Sequence, residues 1–130
     1  MSLNDTLANA LSKLFHDEKI GKTETTIMPA SSVIKKVLDV LKDNEYIKGY
    51  EEVDSGKGLM IKVALSGNIN KCGVIKPRFN VKKDGFERFE KQYLIARDMG
   101  IIIVSTPAGI LTHQEAKKKQ SGGKLIAYCY

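Results

Sequence analysis

The sequence predicts an α+β fold of two small lobes, and three observations carry that prediction. Two segments repeat apolar residues at helical spacing. Several others alternate with a period of two, or run apolar between turn-forming residues, as strands do. The chemistry of the chain then changes near Gly67-Asn68. Residues 1–67 read as helix–strand–helix–strand–strand, two helices on a small sheet. Residues 68–130 are expected to be mainly β with short helices.

In the first lobe, Leu3, Leu7, Leu11, Leu14 and Phe15 share one face of a helix that Asn4 or Asp5 caps and Gly21 ends. Thr23 to Met28 is rich in β-branched residues and reads as a strand stopped by Pro29. Ser31 or Ser32 caps a second helix whose buried stripe is Val33, Ile34, Val37, Leu38 and Leu41. A hairpin follows, from Ile47 to Leu65 through Ser55-Gly56-Lys57-Gly58. In its second strand Leu59, Ile61, Val63 and Leu65 form the apolar side.

In the second lobe, Ile69 to Ile75 reads as a strand and Lys76 to Phe79 as a turn. Phe86, Phe89 and Tyr93 mark a short helix, and their spacing assigns the two phenylalanines to a core. Ile101 to Ser105 is continuously apolar up to its last residue, as in a strand covered on both faces. Thr106-Pro107-Ala108-Gly109 reads as a turn. Thr112-His113-Gln114-Glu115 has the form of a capping box that opens a helix, expected to stop at Gly122-Gly123. Leu125 to Tyr130 closes the lobe as a strand.

Composition narrows the function. The chain has 130 residues, 42% of them hydrophobic, with no apolar run near the roughly 20 that cross a bilayer. Its first residues lack a secretory pattern, so a cytoplasmic protein without membrane contact is expected. Cys72 and Cys129 form neither a disulfide framework nor a zinc set, so no metal or cofactor is expected. The glycines at 56 and 58 lack the spacing of a phosphate-binding loop. Ser105 lacks the context of a catalytic serine. An enzyme acting on RNA or nucleotides stays as the alternative, and a protein-interaction adaptor as a third reading.

Charge points to a polyanion. Residues 1–68 carry 9 Lys/Arg against 10 Asp/Glu, and residues 69–130 carry 12 against 5, so nets of −1 and +7 make up the total of +6. In the basic half, Lys71, Lys76, Arg78, Lys82, Lys83, Arg88, Lys91 and Arg97 are interleaved with Phe79, Phe86, Phe89 and Tyr93. Cations bind phosphates, and aromatic rings stack on unpaired bases. Lys117-Lys118-Lys119 suits a phosphate or a merely solvated helix face. Ser105 and Thr106 place two short hydroxyls at the end of a buried strand, where they read RNA shape or simply cap the strand.

The stretch Ile103 to Ala116, with Ser105-Thr106-Pro107-Ala108-Gly109 inside it, and Gly122-Gly123-Lys124-Leu125 after it, resemble the C-terminal signature of the eighth protein of the small ribosomal subunit. Asn4 to Leu11, Met28 to Ser32 and Asn44 to Ile47 resemble other parts of that family, nearly end to end. Asn70 to Phe79 resembles its archaeal–eukaryotic branch, and the whole is closer to the archaeal form.

The resemblance implies a non-enzymatic, structural protein of the small subunit. It would be a primary binder of the central domain of small-subunit ribosomal RNA and help that domain fold. Neighbouring small-subunit proteins would be its other partners, and the free protein would be a monomer. Some family members also repress translation by binding their own messenger, which is therefore a second candidate RNA. The RNA-binding residues expected on this basis and from charge are Ser105, Thr106, Gly109, Lys76, Arg78, Lys117, Lys118, Lys124, Asn4, Ser31 and Ser32. Two departures matter. Pro107 stands where many bacterial members have a further serine, which removes a hydroxyl and a backbone N–H. Lys124 stands where bacterial members often have Glu, so a carboxylate contact is not carried over, and the lysine suits a phosphate instead.

Overall fold

In a computed structural model, the structure describes residues 6–27, 31–54, 56, 58–75, 78–94 and 99–130. Its chain contacts divide into two units, Met1–Asn70 and Lys71–Tyr130. The α+β fold of two small lobes is as expected, with helices and antiparallel sheets in both.

The first unit holds α1 (Thr6–Lys19), β1 (Glu24–Ile27), α2 (Ser32–Asp43), β2 (Ile47–Asp54) and β3 (Leu59–Leu65). The strands form one antiparallel sheet in the order β1-β3-β2. Leu7, Ala10, Leu11 and Leu14 of α1 are buried, as are Ile34, Val37, Leu38, Val40 and Leu41 of α2 and Ile27, Ile47, Ile61, Val63 and Leu65 of the sheet. Two expectations fail at element ends. Val33 and Leu59 are exposed, because one sits in the first turn of its helix and the other starts its strand beside the hairpin turn. Leu3, the Asn4 or Asp5 cap and the Pro29 stop lie outside the described residues.

The helix ends share one device. After α1, Gly21 at φ 85 lets its N–H reach Glu18 O and the Lys22 N–H reach Asp17 O. This closure by a left-handed residue satisfies carbonyls that the helix leaves open. After α2 the left-handed residue is Glu45 (φ 64), with Tyr46 N–H bonded to Leu41 O.

Among the described residues of this unit, Asp17 and Thr25 form a buried polar pair. The Thr25 hydroxyl donates to Asp17 Oδ2, and Lys22 Nζ lies 3.6 Å from Asp17 Oδ1. The hydrogen bond from Thr25 is the main cause that holds the Asp17 carboxyl below its usual pKa, and the Lys22 charge adds to it. A depressed carboxyl contributes stability above its unfolded value near 3.8 and loses it as pH falls through the folded value. Thr25→Val is therefore expected to lower stability at neutral pH and to flatten its loss on acidification. Urea unfolding at a series of pH values from neutral to about 3 checks this; an unchanged pH dependence would remove Asp17 from the account.

The second unit holds β4 (Cys72–Val74), β5 (Asn80–Val81), α3 (Phe86–Tyr93), β6 (Ile101–Thr106), β7 (Gly109–Thr112), α4 (His113–Lys118) and β8 (Gly123–Cys129). Its sheet runs β4-β8-β6-β7, with β5 also paired to β8. Ile101 to Val104 are all buried, as their unbroken apolar run requires. Ile102, Val104 and Leu125 of the sheet pack with Phe86 and Phe89 of α3 and Ala116 of α4 into one cluster. The two phenylalanines are thus core residues, as their spacing indicates.

Two strands were not expected. β5 is only two residues long, too short to carry a period. β7 occupies Gly109–Thr112, where the sequence shows only the end of a turn and the start of a cap. The helix stop also differs. α4 ends at Lys118 with Lys119 as its C-cap, and the next residue, Gln120, takes φ 52 while Ser121 N–H bonds Ala116 O. Gly122 and Gly123 lie beyond that end, and Gly123 opens β8.

Candidate RNA-facing site

The β6–β7 hairpin gives Ser105 and Thr106 their positions. Thr106 pairs with Gly109 across a turn of Pro107 and Ala108. The usual two-residue hairpin turns need a positive φ at the first central residue, which proline forbids. The positive φ falls instead on Gly109, at 122°. Thr106 closes the turn with its side chain: its hydroxyl donates to Gly109 O at 2.8 Å and accepts from Ala108 N at 3.2 Å. Thr106 is buried, whereas Ser105, Pro107, Ala108 and Gly109 are exposed. The two hydroxyls therefore differ in kind. Thr106 holds the turn, and Ser105 faces solvent.

Lys124 is brought to Ser105 by sheet register. Ser105 is opposite Lys124 on β8 and opposite Ile110 on β7, while Asn80 on β5 is also opposite Lys124. Residues directly opposite point to the same face. Asn80, Lys124 and Ser105 thus form a row across three strands, all exposed, ending on the half-buried Ile110. The row combines an amide, an ammonium and a hydroxyl, which suit base edges or sugars, phosphate and a 2′-hydroxyl respectively. Asn80 escaped the sequence reading because nothing local reveals the β5–β8 pairing.

Tandem glycines let β8 enter this row. A Cβ on Gly123 would lie 2.3 Å from Ser105 O, and one on Gly122 would lie 2.3 Å from Val81 O. Neither position has a positive φ; both need room.

The lysines of α4 divide. Thr112 caps this helix by accepting Glu115 N–H at 3.2 Å; Glu115 answers by accepting from the Thr112 hydroxyl at 3.3 Å, rather than from its backbone. Lys117 Nζ donates to Glu90 Oε1 of α3, a carboxylate only 4% exposed, while Lys118 and Lys119 stand in solvent. His113 is also buried. Its Nδ1 accepts from Ile102 N–H at 3.0 Å, and its Nε2 lies 3.3 Å from Glu90 Oε1 without hydrogen-bond alignment. Burial holds the His113 imidazole below its usual pKa, and Lys117 acts in the same direction against the pull of Glu90.

The other expected residues are scattered. Arg78 is exposed just before β5. The Ser31 hydroxyl accepts from Ile34 N–H at 3.2 Å and so caps α2, leaving Ser32 exposed beside it. Lys76 and Asn4 lie outside the described residues. Phe79 is half-buried against Phe89, with ring centroids 5.4 Å apart, and the Arg88 guanidinium lies 5.3 Å from the Phe89 centroid. These three residues are among those that line a cleft of about 360 Å³.

Among the described residues, no group of three or more His, Cys, Asp and Glu is placed to hold a metal ion. No helix there is long and apolar enough to cross a membrane. A basic second half that presents an exposed hydroxyl beside a lysine has the chemistry of an RNA-binding protein. The family described as Ribosomal protein S8 matches residues 5–130, and the chain belongs to that family. It is accordingly a ribosomal protein that binds ribosomal RNA, from a family of structural proteins rather than enzymes.

Proposed function

We propose that this chain is a primary binder of the central domain of small-subunit ribosomal RNA, gripping it with the exposed Asn80–Lys124–Ser105 row and the turn beyond. The observation that carries the reading is the exposed Ser105 hydroxyl, fixed beside Lys124 by sheet register and by the Thr106-closed turn. Arg78, Lys118 and Lys119, all exposed, supply phosphate contacts without sequence preference. Lys76, Asn4 and Ser32 belong to the same reading through the family resemblance. Gly109 lets the turn approach RNA closely, since nothing lies within 4 Å of where its Cβ would be. The Asn70 to Phe79 segment supports a place in the archaeal–eukaryotic branch, nearer the archaeal form. The free protein is a monomer in this reading. Any RNA presenting the same shape would compete for this surface, and its own messenger is one candidate.

Filter binding to a central-domain fragment across a salt series tests the proposal. Ser105→Ala is expected to weaken binding by about 1–3 kcal/mol, the cost of a lost buried donor or acceptor. The salt slope and the Tm should not change, because the group is neutral and exposed. Thr106→Ala should lower both affinity and Tm, because it opens the turn. Replacing Lys118 and Lys119 with Ala should instead reduce the slope, by about one for each phosphate no longer neutralised. Equal affinity for unrelated duplex RNA would overturn the specific reading.

A further inference from the structure

Cys72 and Cys129 lie far apart in sequence but directly opposite one another in the β4–β8 ladder. The neighbouring pair fixes the geometry between them. Lys71 and Tyr130 exchange both backbone hydrogen bonds, each 2.9 Å long. Antiparallel ladders alternate such pairs with pairs that exchange none. Cys72 and Cys129 therefore occupy a non-hydrogen-bonded position, where Cα atoms approach to about 4.5 Å and side chains lie closest. Disulfides span Cα separations of about 4.4–6.8 Å. The backbone already satisfies that requirement.

We propose that Cys72 and Cys129 are a disulfide-forming pair that ties β4 to the C-terminal strand when a low-molecular-weight disulfide oxidises them. Both side chains are buried, at 5% and 0% exposure, so the reaction needs an opening. β4 supplies it: it is three residues long and stands at the end of the sheet order, with β8 as its neighbour. Short edge strands open locally at lower cost than central ones. On opening, the Cys72 thiolate attacks one sulfur of glutathione disulfide, forms a mixed disulfide and releases one glutathione thiolate. When β4 closes, the Cys129 thiolate attacks the Cys72 sulfur and expels the second glutathione. One protein S–S bond forms and one glutathione S–S bond breaks. The two thiol protons pass by way of solvent to the two glutathione thiolates, and the two electrons reduce glutathione disulfide. The ring so closed spans nearly the whole second unit, restricting its unfolded chain.

The purified wild-type chain in buffers of varied glutathione disulfide to glutathione ratio provides the test, quenched with acid and alkylated. The expected product is a monomer lighter by two hydrogens that yields a linked pair of tryptic peptides, one carrying Cys72 and the other Cys129. Its Tm without reductant should exceed that of the reduced protein by about 5 °C or more. Cys129→Ser should stop instead at a single glutathione adduct on Cys72. Two glutathione adducts per chain, disulfide-linked dimers, or only reduced thiols at every ratio, in protein whose circular dichroism stays folded, would overturn the proposal.

Discussion

Gly123→Ala is expected to destabilise the second unit by about 3 kcal/mol or more, at the upper end of what overpacking costs. The added Cβ would lie 2.3 Å from Ser105 O, 3.0 Å from Ser105 C and 2.8 Å from Val104 Cγ1. The first two atoms belong to the backbone of β6, which cannot rotate aside as a side chain can. Relief requires β6 and β8 to separate where Ser105 faces Lys124. For a unit of this size, such a loss corresponds to a Tm lower by about 12 °C or more. Thermal unfolding followed by circular dichroism checks it. RNA affinity should fall with stability, because the strand separation disperses the row that the proposed grip uses. A Tm within about 2 °C of wild type would show that β8 can shift at little cost, on a scale where each kcal/mol moves Tm by about 4–8 °C.

The same glycines mark the limit of what the sequence reveals. Read locally, Gly122-Gly123 after a run of lysines is a helix stop. The helix instead stops at Lys118, closed by the left-handed Gln120, and the glycines answer to β5 and β6, strands distant in sequence. Patterns that live within one element were legible: the stripes of α1 and α2, the apolar run of β6, and the core spacing of Phe86 and Phe89. Pairings between elements were not. Asn80 joins the site only through a two-residue strand, and Lys124 meets Ser105 only through the β6–β8 register. Thr106 was legible as part of the signature, but its role inside the turn shows only in the fold. Lys117 looks like its two neighbours in sequence, and only the fold shows that its charge is spent on Glu90.

That last distinction leads to the other large effect. Lys117→Met is expected to destabilise the protein by about 2–3 kcal/mol at pH 8, whereas Lys118→Met should change little. Removing one partner of a fully buried ion pair costs about 3–5 kcal/mol, because the other charge is left uncompensated. Here the carboxylate of Glu90 is buried but Lys117 is half open to water, so the pair is weaker than that limit. The pH dependence separates this account from a simple loss of packing. In the wild-type protein burial holds the His113 pKa below its usual 6.5, and Lys117 acts in the same direction against the pull of Glu90. Its contribution is complete above that value and is lost as pH falls, because the unfolded chain then binds a proton that the fold refuses. Lys117→Met removes one of the causes that lower the His113 pKa and leaves the pull of Glu90, 3.3 Å away, so the fold binds a proton on His113 more readily. A fold that binds more protons loses stability with rising pH relative to the parent. The gap between variant and wild type should therefore narrow steadily from pH 8 to pH 5.5 in urea unfolding. Glu90→Gln together with Lys117→Met should remove the narrowing, since no buried charge is left to neutralise. A gap that stays constant with pH would mean that Lys117 acts through its methylene chain alone, and that the tie between α3 and α4 is one of packing.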